Sequence, residues 1–312
     1  MFGRWKRLNS IAIAATTSFA LILPAFANEV NSTAVAPNYF NNQDSIPLFV
    51  PPPTNKALTP RVDTVPQLDP VSPATGGTCV AQLGPLINGL IGQYPDRWGI
   101  LVEPLNNRTP LYSHNADKYF IPASNVKIFT TAAALQRLDP QTRIKSELLG
   151  DWVTATNTHS LNDHAQTLFS YMGGAMATKS AIAQLGVDPA SFRLADGSGL
   201  SRSNVATPRA LVETLRAMYS APGNEVFHAS LPIAGVRGTL RNRMKATPAE
   251  GNVYAKTGTL QGVRALSGYI NNPEYGVLVF SILANNSSQP GTSLVKSIDA
   301  IVLQLSTIQN CN

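Results

Sequence analysis

Pro51-Pro52-Pro53 and the prolines at 60, 66, 70 and 73 crowd one short span of a 312-residue chain. Each proline fixes its φ and lacks an amide hydrogen, so this span can be neither regular helix nor central strand. Its surroundings are rich in Asn, Pro and Thr, and residues 28–77 are expected to form an extended linker. Any core must therefore be built from residues beyond this linker. The composition supplies one: 44% of residues are hydrophobic and 13% charged, which excludes wholesale disorder. The length fits one large domain or two modest ones, and no internal repeat is evident.

The segment ahead of the linker reads as an address. Arg4-Trp5-Lys6-Arg7 is positive, Ile11 to Leu23 is mostly apolar, and Ala25-Phe26-Ala27 is a small-x-small pattern. A secretory signal peptide over residues 1–27, cut after Ala27, is expected. The other reading is an uncleaved anchor, but the apolar run is shorter than the roughly 20 residues a membrane helix needs. The mature protein is then expected to be exported, to the periplasm or cell envelope, with no transmembrane anchor. Arg4, Lys6 and Arg7 also carry half of the formal net charge of +6. The remaining excess is too weak, and too evenly spread, to point to nucleic acid as a partner.

The two cysteines, Cys79 and Cys311, stand at either end of the part expected to be globular, residues 78–312. Exported domains keep disulfides, and chain termini are often close together, so a Cys79–Cys311 bridge is expected. Two unpaired thiols are the alternative.

From Cys79 onward the pattern changes. Helices are expected at Val80–Ile91, Asn125–Leu138, Asn162–Tyr171, Thr178–Gln184, Thr207–Tyr219 and Pro290–Leu305. Strands are expected at Trp98–Val102, Thr109–Tyr112, Asn252–Lys256, Val263–Ile270 and Val277–Leu283. Strands lie at both ends and helices in the middle. This layout implies an α+β fold: one antiparallel sheet built from both ends, flanked by helices, with an all-helical subdomain inserted.

Three short patterns fall in order along this frame. Ser124-Asn125-Val126-Lys127 is a Ser-x-x-Lys at the head of an apolar helix, where three residues return the lysine to the serine's face. A desolvated lysine there has a lowered pKa and can take the serine proton. The pair Ser293 and Lys296 matches equally well, and a serine at a helix start also serves as an N-cap. Ser160-Leu161-Asn162 is a Ser-x-Asn, as is Ser113-His114-Asn115. Lys256-Thr257-Gly258-Thr259 offers a cation and two hydroxyls for a carboxylate, with a glycine for close approach, or else marks a turn between strands.

Ser-x-x-Lys, Ser-x-Asn and Lys-Thr-Gly in this order resemble the signature set of penicillin-binding proteins and serine β-lactamases. Asp196-Gly197-Ser198-Gly199-Leu200-Ser201-Arg202 and Tyr254 to Gly262 are similar to the class C low-molecular-mass penicillin-binding proteins. These are the D-alanyl-D-alanine carboxypeptidase/endopeptidase (S13) family. Val102-Glu103-Pro104, Ile121 to Ser124 and Leu231 to Gly235 add to the likeness, which covers roughly residues 82–306.

The resemblance implies a β-lactamase/DD-peptidase-like fold and acyl transfer on peptidoglycan stem peptides ending in D-Ala-D-Ala, with β-lactam antibiotics as inhibitors. It implies Ser124 as nucleophile, Lys127 as general base and Ser160 as proton relay. Asn162 would hold Lys127 and the acyl amide, while Lys256, Thr257, Gly258 and Thr259 would bind the terminal carboxylate. The backbone N–H groups of Ser124 and Thr259 would form the oxyanion hole. Neither cofactor nor metal is implied, and His114, His159, His164 and His228 form no evident ligand set. The Asp196–Arg202 segment is expected to support the site. One feature departs from the family: Ser124 and Ser160 are only 36 residues apart, so the usual bulky insert is absent and Thr142–Asn157 reads as a short bypass. A serine β-lactamase and a non-catalytic peptidoglycan-binding module are the competing readings.

Overall fold

The computed structural model describes residues 77–311. The expected signal peptide, and all of the expected linker except Gly77, lie outside those residues. Strand β1 (Thr78–Cys79) leads into helix α1 (Val80–Ile91), which stops at Gly92 as expected. Next come β2 (Trp98–Pro104) and β3 (Tyr112–His114). The second of these begins three residues later than expected. Asn107 Oδ1 accepts the Thr109 N–H and Pro110 has none to give, so the turn continues until Leu111 N bonds the Val102 carbonyl.

The middle of the chain is helical. It comprises α2 (Val126–Arg137), the hairpin of β4 (Arg143–Ile144) and β5 (Glu147–Leu148), and then α3 (Leu149–Thr158). After these come α4 (Asn162–Tyr171), α5 (Gly174–Gln184) and a second small hairpin, β6 (Phe192–Arg193) with β7 (Val205–Ala206). Helices α6 (Pro208–Met218) and α7 (Asn224–Ser230) complete it.

The expected bypass at Thr142–Asn157 is thus a hairpin and a helix. Helix α3 is rich in weak helix formers, Thr154, Thr156, Asn157 and Thr158. Tertiary contacts sustain it: Trp152 and Val153 are buried, and Asn157 Nδ2 donates to Thr131 Oγ1 (3.1 Å) and Ser230 Oγ (2.8 Å). Helix α7, unforeseen in the sequence, is too short to show a helical period.

Strands β8 (Val253–Leu260), β9 (Val263–Asn272) and β10 (Gly276–Asn285) come next, then α8 (Gly291–Ser306) and β11 (Ile308–Gln309). The main sheet is antiparallel throughout, in the order β3-β2-β10-β9-β8. The expected α+β architecture is therefore present, and β8 lies on an edge. Strand β8 runs four residues past its expected end at Lys256, because its tight turn to β9 falls at Gln261-Gly262. The Lys-Thr-Gly-Thr run is accordingly strand and not turn.

Alternation along the strands separates two cores. Trp98, Ile100, Val102, Leu278, Phe280 and Ile282 pack with α1 and α8. Leu101, Ala265, Tyr269, Val279 and Leu283 face the helical subdomain. At the heart of that subdomain lies α2, whose residues Val126 through Leu135 are all buried. A helix buried all round sits inside its domain.

Cys79 and Cys311 are bridged across 232 residues, where β1 pairs in parallel with β11. The bridge ties the start of α1 to the segment after α8, as expected. Closing so long a loop restricts the unfolded chain by roughly 5 kcal/mol in the entropy model. Replacing both cysteines with serine is predicted to lower stability by about 2–5 kcal/mol, read as a lower denaturant midpoint. An unchanged midpoint would show that the bridge constrains nothing.

Candidate active site

Ser124 lies in a 3-10 turn, Ala123–Asn125, that delivers the chain into α2. Its hydroxyl does not cap the helix; it accepts a hydrogen bond from Lys127 Nζ at 3.0 Å. The turn is locked from two sides. Asn125 is fully buried and donates through Nδ2 to the Lys256 carbonyl at 2.9 Å, tying the turn to β8. Gly199 presses on the other side. Its φ is +88°, and a Cβ there would fall 2.0 Å from the Ala123 carbonyl oxygen and 2.9 Å from Ser124 N.

Lys127 is fully buried, and its ammonium has three acceptors: Ser124 Oγ at 3.0 Å, Asn162 Oδ1 at 2.8 Å and the Ser198 carbonyl at 2.6 Å. Lys256 is also fully buried and donates to Ser160 Oγ at 2.9 Å and to the Thr257 carbonyl at 3.0 Å. Ser160 does not cap α4; its φ of +58° turns the hydroxyl to Lys256, and Asn162 opens the helix. The four side chains 124, 127, 160 and 256, with Asn162, converge on one cleft.

Among the described residues neither lysine pairs with a carboxylate. Burial pushes the Lys127 pKa down to about 8, opposed by the negative charge of Asp196. Burial also drives Lys256 well below the usual lysine range, and repulsion from Lys127 adds to it. When protonated, two desolvated lysines with neutral partners can attract an anionic group to the cleft.

The edge strand supplies more. Val253 O and Ala255 N bond Ala234 N and Pro232 O, away from β9. By alternation Thr257 and Thr259 turn their backbone groups to the same outer edge. Thr259 is exposed, and Thr257 Oγ1 lies 2.7 Å from Thr239 Oγ1.

All the expected site residues fall in or beside this cluster, and the look-alike motifs do not. Ser293 and Lys296 lie on α8, where Ser293 is exposed, and Asn115 bonds the Trp98 carbonyl. Of the histidines, His159 is exposed, His164 stacks on Trp152, His114 bonds the Pro95 carbonyl and His228 packs among Tyr219, Tyr254 and Tyr269. Sequence reading missed three contributors: the Ser198 carbonyl, Asn125 and Thr239. The first is a backbone group with no residue signature. The other two lack chemistry that distinguishes them from structural residues.

The family description "D-Ala-D-Ala carboxypeptidase 3 (S13) family" matches residues 90–160 and 145–306. The two matched pieces meet around α3, where the path between the motif serines is short. A D-alanyl-D-alanine carboxypeptidase of Actinomadura sp. (strain R39) is 43% identical over 176 residues, 51% of this chain and 31% of that protein. Penicillin-sensitive carboxypeptidase A of Dictyostelium discoideum is 34% identical over 176 residues, 50% of this chain and 34% of that protein. The match thus spans about a third of the length of these relatives.

Penicillin binding protein 4 (dacB) of Haemophilus influenzae shares the fold, with a TM-score of 0.60 at 15% identity over 71% of this chain and 99% of that one. So does the TLA-3 extended-spectrum β-lactamase, with a TM-score of 0.60 at 18% identity over 73% of this chain and 98% of that one.

Gly199→Ala is predicted to destabilise the protein by about 1–3 kcal/mol, from a strained φ together with a backbone clash. Gly186 has a similar φ of +86° with nothing within 4 Å of its missing Cβ, so Gly186→Ala is predicted to lose less. Equal losses in melting temperature would contradict the tight seat of the Ser124 turn.

Proposed function

The chain belongs to the D-Ala-D-Ala carboxypeptidase 3 (S13) family, and from that premise we propose that residues 78–312 act as a serine-type D-Ala-D-Ala carboxypeptidase or endopeptidase. Its substrates are peptidoglycan stem peptides, and β-lactams acylate the same serine. The observation that carries this reading is the set of partners around Lys127. A neutral amine keeps two N–H donors and one lone pair. The Ser198 carbonyl and the Asn162 side-chain oxygen can only accept, so they take the two donors. The lone pair then faces Ser124, the one partner of the three able to reverse its hydrogen bond and donate.

In this reading Ser124 Oγ attacks the carbonyl of the penultimate D-alanine while its proton passes to Lys127 Nζ. The oxyanion that forms is held by the N–H groups of Ser124 and Thr259, each donor worth roughly 3–4 kcal/mol by analogy with other serine enzymes. Because Lys256 donates to the Ser160 oxygen, the Ser160 hydroxyl proton is free to move to the departing nitrogen. The ammonium of Lys256, with Thr257 and Thr259 beside Gly258, receives the terminal carboxylate. Water then releases the acyl group from Ser124. Export to the periplasm or cell envelope is inferred from the signal-like residues 1–27 and suits the disulfide.

The β-lactamase fold neighbour raises the rival activity, whose class A route uses a carboxylate free to activate the deacylating water. Asp196, the carboxylate that faces the site, spends both oxygens on donors of its own loop. A long-lived adduct is therefore favoured over rapid turnover. The intact motif side chains, gathered in one cleft, argue against a binding-only module.

Fluorescent penicillin is predicted to label the wild type and not Ser124→Ala, while a chromogenic cephalosporin is hydrolysed only slowly. Rapid hydrolysis would identify a β-lactamase, and equal labelling of both proteins would remove Ser124 as nucleophile. Mass spectrometry of muropeptides separates loss of one alanine from splitting of cross-linked dimers. The acylation rate is predicted to climb as pH rises through about 8, the value to which burial lowers Lys127. A rate that is flat across that range would exclude Lys127 as the base.

A further inference from the structure

The loop between β6 and β7 is organised around one carboxylate. Asp196 Oδ1 accepts from Ser198 N (2.7 Å), Ser198 Oγ (2.8 Å) and Gly199 N (2.6 Å). Its Oδ2 accepts from Ser201 N (2.7 Å) and Asn204 Nδ2 (3.1 Å). Asn204 Oδ1 closes the ring by accepting from Ala195 N (2.7 Å) and Asp196 N (3.2 Å). Five donors converge on Asp196, and an amide in its place would set an NH2 against at least one of them.

Two successive carbonyls of this loop dock on α2. The Gly197 carbonyl accepts from Thr130 Oγ1 at 2.8 Å, and the Ser198 carbonyl accepts from Lys127 Nζ at 2.6 Å. Lys127 and Thr130 are three residues apart and share one helix face. The next residue, Gly199, backs the Ser124 peptide. The loop therefore touches both members of the Ser-x-x-Lys pair.

We infer that Asp196 is a positioning residue for the acyl transfer proposed above: its carboxylate folds the loop that aims Lys127 and seats the Ser124 turn. This inference rests on Ser124 and Lys127 acting as nucleophile and base. Asp196 acts in two ways, through the loop and through its charge. Burial pushes its own pKa up, but the bonds from Ser201, Gly199 and Ser198 outweigh this and hold it below the usual carboxylate range. It thus stays ionised and favours the protonated form of Lys127. The charged groups that face Lys127 are Asp196 from this loop and Lys256 from β8. Helix α4 and the Ser124 turn contribute only the neutral Asn162 and Ser124.

The test is the second-order acylation rate with benzylpenicillin over a pH series, on full-length protein with melting temperatures recorded alongside. Asp196→Asn is predicted to acylate roughly 100-fold more slowly, the loss expected of an ångström of misplacement. Its acid limb should also move to lower pH, because the charge that favours protonated Lys127 is gone. Ser198→Ala keeps that charge and removes two loop bonds, from Ser198 Oγ to Asp196 and from Leu200 N to Ser198 Oγ, so it should slow acylation several-fold with the acid limb unmoved.

A wild-type rate in Asp196→Asn overturns the inference, as does a slowed rate with an unmoved acid limb. Should Asp196→Asn fail to fold, Ser198→Ala decides: slowed acylation supports the inference and an unchanged rate overturns it. Failure of the underlying reading looks different, since wild-type protein would then take up no benzylpenicillin at all.

Discussion

Two ammonium groups buried in one cleft, with no carboxylate among the described residues contacting either, are the constraint on which the rest of this structure depends. Burying an unpaired charge costs several kcal/mol, so such a pair persists only where the surrounding fold is firm enough to hold it. The polar partners that hold Lys127 and Lys256 are neutral: two serine hydroxyls, one amide and two backbone carbonyls. Neutral partners satisfy the donors, and the nearby charge of Asp196 offsets the burial of Lys127 only in part. The lysines are consequently easier to deprotonate, and the cleft attracts a negative group. Both effects are what the proposed base and the proposed carboxylate receptor require.

The architecture explains how they are held. Lys127 sits on a helix buried on every side, and Lys256 on the edge strand of a sheet with hydrophobic cores on both faces. The Asn125 bond to the Lys256 carbonyl joins the helix entrance to that edge. Helix α4 brings Asn162, the turn before it brings Ser160, and the Asp196 loop closes over the serine turn. Four segments far apart in sequence meet here, each anchored by packing behind it. The disulfide fastens the outermost ends of the same domain.

Much of this is legible in the sequence, and the reasons are physical. Helices α1 and α4 and strands β9 and β10 arise from apolar periodicity, and the three motifs from side-chain chemistry at fixed offsets. Helix α3 is not legible because Thr154, Thr156, Asn157 and Thr158 disfavour helix locally and tertiary bonds to Thr131 and Ser230 hold it. Strand β8 reads too short because Thr257 and Gly258 look like turn residues until the pairing with β9 is known. The Ser198 carbonyl is invisible because every residue carries one; only the fold aims it.

The central claim is that burial beside a serine, among neutral hydrogen-bond partners, makes Lys127 a base near neutral pH. Site-resolved NMR titration of the Lys127 side chain tests it most directly. The account predicts an inflection near pH 8. An inflection at the ordinary lysine value of about 10.4 would contradict it, since Ser124 would then face a permanently protonated neighbour.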